Sequence, residues 1–255
     1  MKNIAFLALV LLGSCASLNT VTSEEKTSEN NRSFRYSDSN SNVLYHVSND
    51  KENLYISLNT SETASIAKIL KTGLTFYFDT KGKKAKDLYV QYPLAQNQNI
   101  SKEEMTTPSK NNSRVMQVDL KKLLPQISNL GAYKNQDATE NFSVLNTESD
   151  IKITIEAVNN AEMNYHLTIP FNKISAGGLA SIGDLSVGIV SGKFSPPSGA
   201  GNNQGSGQGR SGGGGMSGGG QGGGQGRGMS GGNGQSQGNM SVMSTPIKFW
   251  FKVAL

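Results

Sequence analysis

In Val43-Leu44-Tyr45-His46-Val47, and again in Leu54-Tyr55-Ile56-Ser57-Leu58, apolar residues recur at every second position, and the run Asn49-Asp50-Lys51-Glu52-Asn53 separates the two stretches. A period of two places Val43, Tyr45 and Val47, then Leu54, Ile56 and Leu58, on one face of extended backbone, and the polar run reads as a turn. The pair predicts a β-hairpin with one buried face. Leu74, Phe76 and Phe78 repeat the pattern, and Leu88-Tyr89-Val90-Gln91-Tyr92 returns after the turn Lys81-Gly82-Lys83-Lys84 until Pro93 breaks the run. Further alternating sets are Ile151, Ile153 and Ile155; Met163, Tyr165, Leu167 and Ile169; Leu185, Val187 and Ile189; and Ile247, Phe249, Phe251 and Val253. These segments predict a mainly β chain, an antiparallel β-sandwich of jelly-roll-like type with one or two short helices.

The first helix is expected between the two hairpins. Asn59 or Ser61 can cap it, Ile66, Ile69 and Leu70 fall on one face, and Gly73 supplies the stop. A second is expected from Asp119 as cap, with Leu120, Leu123, Leu124 and Ile127 inward and Pro125 shortening it. Register can be deduced near Asn159-Asn160. A plain two-residue turn there would set Ile155 against residue 164, so a bulged or longer turn is needed to bring it opposite Met163 or Tyr165.

Composition divides the rest. Lys2, the apolar run Ile4 to Leu12, then Gly13-Ser14-Cys15 resemble the signal and lipobox of bacterial lipoprotein precursors, which implies that Cys15 is lipidated. The apolar run is shorter than the roughly 20 residues a membrane-spanning helix needs. Residues 1–14 read as the signal peptide, and residues 15–40, rich in Ser, Thr, Asn and Glu, as a lipidated flexible tether with a coil reach of roughly 25–30 Å. The lack of an acidic residue at Ala16 resembles outer-membrane sorting, so an exported, envelope-anchored location is expected. Residues 41–194 form the predicted sandwich and residues 245–255 its last strand. Between them, residues 195–244 are dominated by Gly with Gln, Ser, Asn and Met, and read as a disordered insertion. Such a loop is tolerable because each doubling of its length costs only about 0.6 kcal/mol. Cys15 is the only cysteine, so no intramolecular disulfide is available.

The succession Leu54 to Leu58, a short helix, Gly73 to Asp79, Tyr92-Pro93, Leu167-Thr168-Ile169-Pro170-Phe171 and Gly183 to Ile189 resembles the family 9 carbohydrate-binding and DOMON-like β-sandwich group. Lipobox, sandwich and Gly-rich insertion together resemble envelope lipoproteins of the Bacteroidota. The resemblance implies sugar binding by exposed aromatic rings, usually tryptophans. This chain has one, Trp250, set between Lys248 and Lys252 on the face opposite Phe249 and Phe251. Tyr55, Tyr77 and Tyr89 likewise alternate away from the apolar faces, either as rings for a ligand or as packing on a second half-buried face.

Other chemistry has little footing. Gly-x-Ser-x-Gly occurs only by composition inside the Gly-rich run, and no His-x-x-His or cysteine cluster occurs, so neither catalytic residues, nor a metal, nor a cofactor is expected. A haem ligated by His46 or His166 with Met163 is the minor alternative, and Asp79 with Asp87 could ligate calcium. Lys81, Lys83, Lys84 and Lys86 crowd one turn, where they keep it soluble or meet acidic glycans. The expected function is a non-catalytic envelope protein bound to a membrane through lipidated Cys15, taking a polysaccharide or an envelope protein as partner and no nucleic acid. The alternative is an assembly protein whose Gly-rich loop makes the protein contacts.

Overall fold

The period-two apolar positions meet across two stacked sheets. The computed structural model describes residues 18–27, 34–94, 106–108, 114–116, 118–136, 138–193 and 245–255. The signal segment, Cys15 and the Gly-rich run 195–244 lie outside the described residues.

In chain order the first strands are β1 (Asn19–Thr22), β2 (Glu24–Glu25), β3 (Tyr36–Asp38), β4 (Val43–Asn49) and β5 (Asn53–Thr60). Helix α1 (Thr63–Thr72) follows, then β6 (Leu74–Asp79), β7 (Leu88–Tyr92), β8 (Thr106–Pro108) and β9 (Arg114–Met116). After the short helix α2 (Leu120–Leu123) come β10 (Leu130–Asn135), β11 (Ala138–Ser143), β12 (Lys152–Asn159) and β13 (Glu162–Pro170). The short helix α3 (Phe171–Ile174) precedes β14 (Leu185–Ser191) and β15 (Lys248–Ala254). One sheet has the order β1-β15-β14-β6-β7-β10-β11 and the other β12-β13-β5-β4-β2, with β3 also paired to β4; β8 and β9 make a separate ribbon. Pairing within both sheets is antiparallel except at β1 with β15 and β2 with β4.

Aromatic rings hold the layers together. Tyr165 on β13 is fully buried, its ring 5.3 Å from Phe76 and 6.4 Å from Tyr92 on the facing sheet, and its hydroxyl donates to the Tyr92 carbonyl at 3.1 Å. Tyr45 on β4 reaches across in the same way to Phe251 at 5.0 Å and Phe249 at 5.2 Å. Such pairs add about 0.5–1.5 kcal/mol each beyond the area they bury. The expected β-sandwich is therefore the observed architecture.

Both expected hairpins form, β4 with β5 and β6 with β7. The turn deduced after Ile155 is bulged: Ile155 sits opposite Tyr165, and the register shifts between Ala157 and Asn159, which leaves Val158 exposed. Helix α1 carries the chain from one sheet to the other with Ile66, Ile69 and Leu70 buried, but its cap is Glu62, whose carboxylate accepts from the Ala64 N–H at 3.5 Å. Asn59 stays in β5, its amide donating to Glu162 at 2.9 Å and Asn164 at 2.8 Å. Asp119 precedes α2 without a side-chain capping bond, and Pro125 turns the following residues Leu124–Gln126 into a 3-10 turn with Leu124 only half-buried. A third helix, α3, exceeds the one or two expected; it begins directly after Pro170, whose φ of −64° suits a helix entry.

The tether is the main correction. Within residues 15–40, β1 pairs with β15 from Asn19↔Phe251 to Thr22↔Ala254, β2 pairs with β4, and β3 pairs with β4. Composition failed because an edge strand needs few apolar residues when its partner offers a free row of N–H and C=O groups. Val21 alone, 1% exposed, anchors β1 to the core. Tyr36 does the same for β3, stacking on Tyr45 at 5.5 Å, while its hydroxyl accepts from the Thr22 N–H at 3.0 Å. Strands β10 and β11 were not expected either, since β11 (Ala-Thr-Glu-Asn-Phe-Ser) is a polar edge.

Gly73 closes α1 with φ of 72°, and a Cβ there would stand 2.1 Å from the Pro93 carbonyl oxygen. Neither a left-handed alanine nor a displaced backbone carbonyl is cheap, so Gly73→Ala should lower unfolding stability by more than about 1 kcal/mol. Urea denaturation measures this. A midpoint equal to wild type would contradict the contact.

Candidate functional site

On the outer face of the seven-stranded sheet, cross-strand pairing brings three of the four candidate rings into one row. Gly188 on β14 lies opposite Trp250 on β15 and opposite Tyr77 on β6; Tyr77 lies opposite Tyr89 on β7, and Tyr89 opposite Lys134 on β10. Residues directly opposite on adjacent strands point to the same face. Trp250, Gly188, Tyr77, Tyr89 and Lys134 therefore run across five strands. At about 4.8 Å per strand the row is roughly 19 Å long.

Gly188 seats the tryptophan. A Cβ built on it would lie 2.3 Å from Trp250 Cε2, 2.4 Å from Cζ2 and 2.6 Å from Cδ2. Near-equal approach to three atoms at the ring fusion means that the indole meets the glycine with its face, not its edge. Its other face is turned away from the sheet. The Tyr77 ring is parallel to it within 11°, with 6.0 Å between centroids, and Tyr89 meets Tyr77 edge-on at 5.7 Å and 71°. Trp250, Tyr77 and Tyr89 are all half-buried. Burial, and then Tyr89, push the Tyr77 phenol up, so it stays neutral and can both donate and accept.

Polar rows border the rings. On one side Lys248, Val190, Thr75 and Gln91 are in register; on the other, Lys252, Ser186 and Asp79. Burial raises the Asp79 carboxyl, but the N–H groups of Ala85, Lys81, Lys83 and Lys84 outweigh it and hold the group below the ordinary carboxylate range. Its oxygens accept from Lys81 N–H at 2.9 Å, from Ala85 N–H at 3.1 Å and from Lys83 N–H. Asp79 thus shapes the lysine-rich turn and is not free to ligate calcium with Asp87. That turn places the Lys86 ammonium 5.5 Å from the Tyr77 ring centre.

Tyr55, the fourth candidate, is elsewhere. It stands on the outer face of the other sheet beside a cleft of about 820 Å³ lined in part by Lys51, Asn53, Ser149, Lys152 and Thr168. The Lys26 ammonium covers its ring at 3.4 Å, and its hydroxyl donates to Asp50 Oδ2 at 2.6 Å. Burial and the Asp50 carboxylate push this phenol up to about 12. A ring covered and tied in this way is a clamp on the N-terminal segment, not a stacking platform.

The haem alternative does not survive the strand geometry. Met163 is 1% exposed in the core, whereas His166, three residues on, faces outward with Nδ1 2.9 Å from Ser57 Oγ. His46 is buried with neither ring nitrogen hydrogen-bonded, and Nε2 is 3.8 Å from Glu24. Burial lowers the pKa of both histidines. Among the described residues, no group of three or more His, Cys, Asp or Glu side chains could hold a metal. Cys15, the candidate lipidation site, lies outside the described residues.

Gly188 and Lys134 escaped the sequence reading. An isolated glycine inside Leu185-Ser186-Val187-Gly188-Ile189 is the signal that could have found the first, since glycine in a strand marks a close approach. Lys134 lies in β10, whose short pattern Leu130-Gly131-Ala132-Tyr133 does not alternate cleanly.

No protein-family model matches this chain, and no curated protein matches it. Solved structures similar in outline include two described as carbohydrate-binding. One is a family 9 carbohydrate-binding module from Caldicellulosiruptor kristjanssonii in complex with glucose, at 9% identity and a TM-score of 0.31 over 71% of this chain and 81% of that one. The other is a protein from Bacteroides uniformis described as carbohydrate-binding, at 6% identity and a TM-score of 0.33 over 69% of this chain and 84% of that one. At this level of superposition neither transfers a ligand or a residue to this chain.

The seat under Trp250 is directly testable. Gly188→Ala should lift the indole and shift the emission of the chain's one tryptophan to longer wavelength. An unchanged emission maximum would mean that the ring does not rest on Gly188.

Proposed function

We propose that this protein is a lipid-anchored, non-catalytic protein of the bacterial envelope that binds a glycan along the Trp250–Tyr77–Tyr89 row. The observation that carries the reading is the parallel Trp250–Tyr77 pair, one ring seated on Gly188 with its far face outward. The C–H face of a pyranose is apolar and flat, and its hydroxyls point to the rim. A flat aromatic strip accepts the face, and side chains that both donate and accept, such as Thr75 and Gln91, suit the rim. Among the described residues no pair of free carboxylates faces the row: Asp79 is engaged by loop amides, and Asp184 lies 3.6 Å from Lys252.

An open strip buries less of a ligand than a cleft does. The expected affinity is accordingly weak, with Kd on the order of 10 µM to 1 mM. Affinity electrophoresis through gels containing soluble polysaccharides provides the measurement. Trp250→Ala and Tyr77→Ala should each weaken retardation by at least about tenfold, near 1.4 kcal/mol, whereas Tyr55→Phe should leave it unchanged. Retardation indifferent to both ring removals would refute the row as the site.

The anchor rests on the lipobox-like Leu12-Gly13-Ser14-Cys15. Because β1 begins at Asn19, at most about 14 Å of extended chain separates Cys15 from the sheet edge. An anchored sandwich would therefore stand close to the lipid headgroups. Metabolic palmitate labelling should be lost in Cys15→Ala, and labelling that persists would remove the anchor from this reading.

A further inference from the structure

We infer that the glycan taken by this row is acidic, a polysaccharide bearing carboxylates. The inference rests on the row being the glycan site and adds the charge of its ligand. Each ring has a lysine beside it on the same face. Lys248 and Lys252 flank Trp250 two residues away on either side, Lys86 stands 5.5 Å over Tyr77, and Lys134 is directly opposite Tyr89. The acidic groups nearby do not cancel them. Asp79 is turned into its loop, and Asp184 engages Lys252 only. Asp87 stands next to Lys86 in the chain, at the rim. Among the described residues, no ion pair holds Lys86, Lys134 or Lys248.

Among the described residues, Lys134 serves no evident purpose in the fold. Lys134 and Lys252 each have a paired strand on both sides, so they are not guarding a free edge, whereas Lys248 lies beyond β1, whose pairing with β15 covers Phe251 to Ala254. Like charges along one face repel, and that cost is relieved when an anionic polymer lies among them. Lys134 and the pair flanking Trp250 mark the two ends of a row roughly 19 Å long, so several sugar units can stack while carboxylates at intervals reach ammonium groups. Single-stranded nucleic acid also combines flat rings with anions, but Thr75 and Gln91 beside the rings match a rim of hydroxyls, and the export signal implied by residues 1–15 removes the chain from nucleic acid.

The test compares the full chain on polygalacturonate, on the same polymer fully methyl-esterified, and on a neutral xylan. Polygalacturonate should bind at least tenfold more tightly than the ester, and raising NaCl from about 50 to 300 mM should weaken it further through screening. Lys134→Gln combined with Lys248→Gln should remove that preference while leaving neutral binding intact; Trp250→Ala should remove both. Equal binding of acid and ester, still sensitive to Trp250→Ala, would overturn the acidic ligand and leave the glycan row standing. Loss of neither polymer on Trp250→Ala would overturn the row itself. Tighter, Trp250-dependent binding of oligo(dT) than of any polysaccharide would overturn the glycan in favour of nucleic acid.

Discussion

The register of β14 between β6 and β15 is the constraint on which core and candidate site both depend. Because side chains alternate, the same three strands send Phe76, Val187, Ile189 and Phe251 inward and Tyr77, Gly188 and Trp250 outward. A slip of one residue would exchange the two sets, exposing Phe251 and driving Trp250 into Tyr45. The inward set prevents it, since Phe251 stacks on Tyr45 and Phe76 packs on Tyr165. The aromatic row is thus held in place by contacts on the other side of the sheet.

The two outer faces differ in what their polar groups are doing. On the six-stranded sheet, Tyr55 is engaged by Lys26 and Asp50, His166 by Ser57, and Asn59 by Glu162 and Asn164. Those groups satisfy one another and the Lys26 contact fastens the N-terminal segment, while His46 on the same face keeps both ring nitrogens without a hydrogen bond. On the seven-stranded sheet Trp250 and Tyr77 are parallel, all three rings are half-buried, and three lysines have no ion-pair partner among the described residues. Unmatched charge beside flat apolar rings is a surface suited to something outside the chain, whereas a self-satisfied polar face is not.

Much of the fold was legible because burial on one face leaves a mark at every second residue. β4 to β7, β12 to β15 and the bulge after Ile155 follow from that mark. The edge strands β1, β2 and β11 were not, because they take their stability from a partner's backbone, and backbone pairing leaves little trace in composition. Part of the site was legible in the same way. Alternation placed Tyr77, Tyr89 and Trp250 opposite the core, and it placed Tyr55 there equally, without distinguishing a stacked ring from a clamped one.

From sequence alone came the alternating pattern and hence the sandwich, the helix stop at Gly73, the lipobox-like ending at Cys15 and the Gly-rich run. Each of these is local, decided by residues within a few positions of one another. Tertiary structure alone decided that β15, some sixty residues after β14 begins, lies beside it. It also decided that Trp250 therefore rests on Gly188, and that Lys134 closes a row begun four strands away. Cross-strand partners are chosen by packing of the whole core, and no window of sequence contains both halves of such a pair.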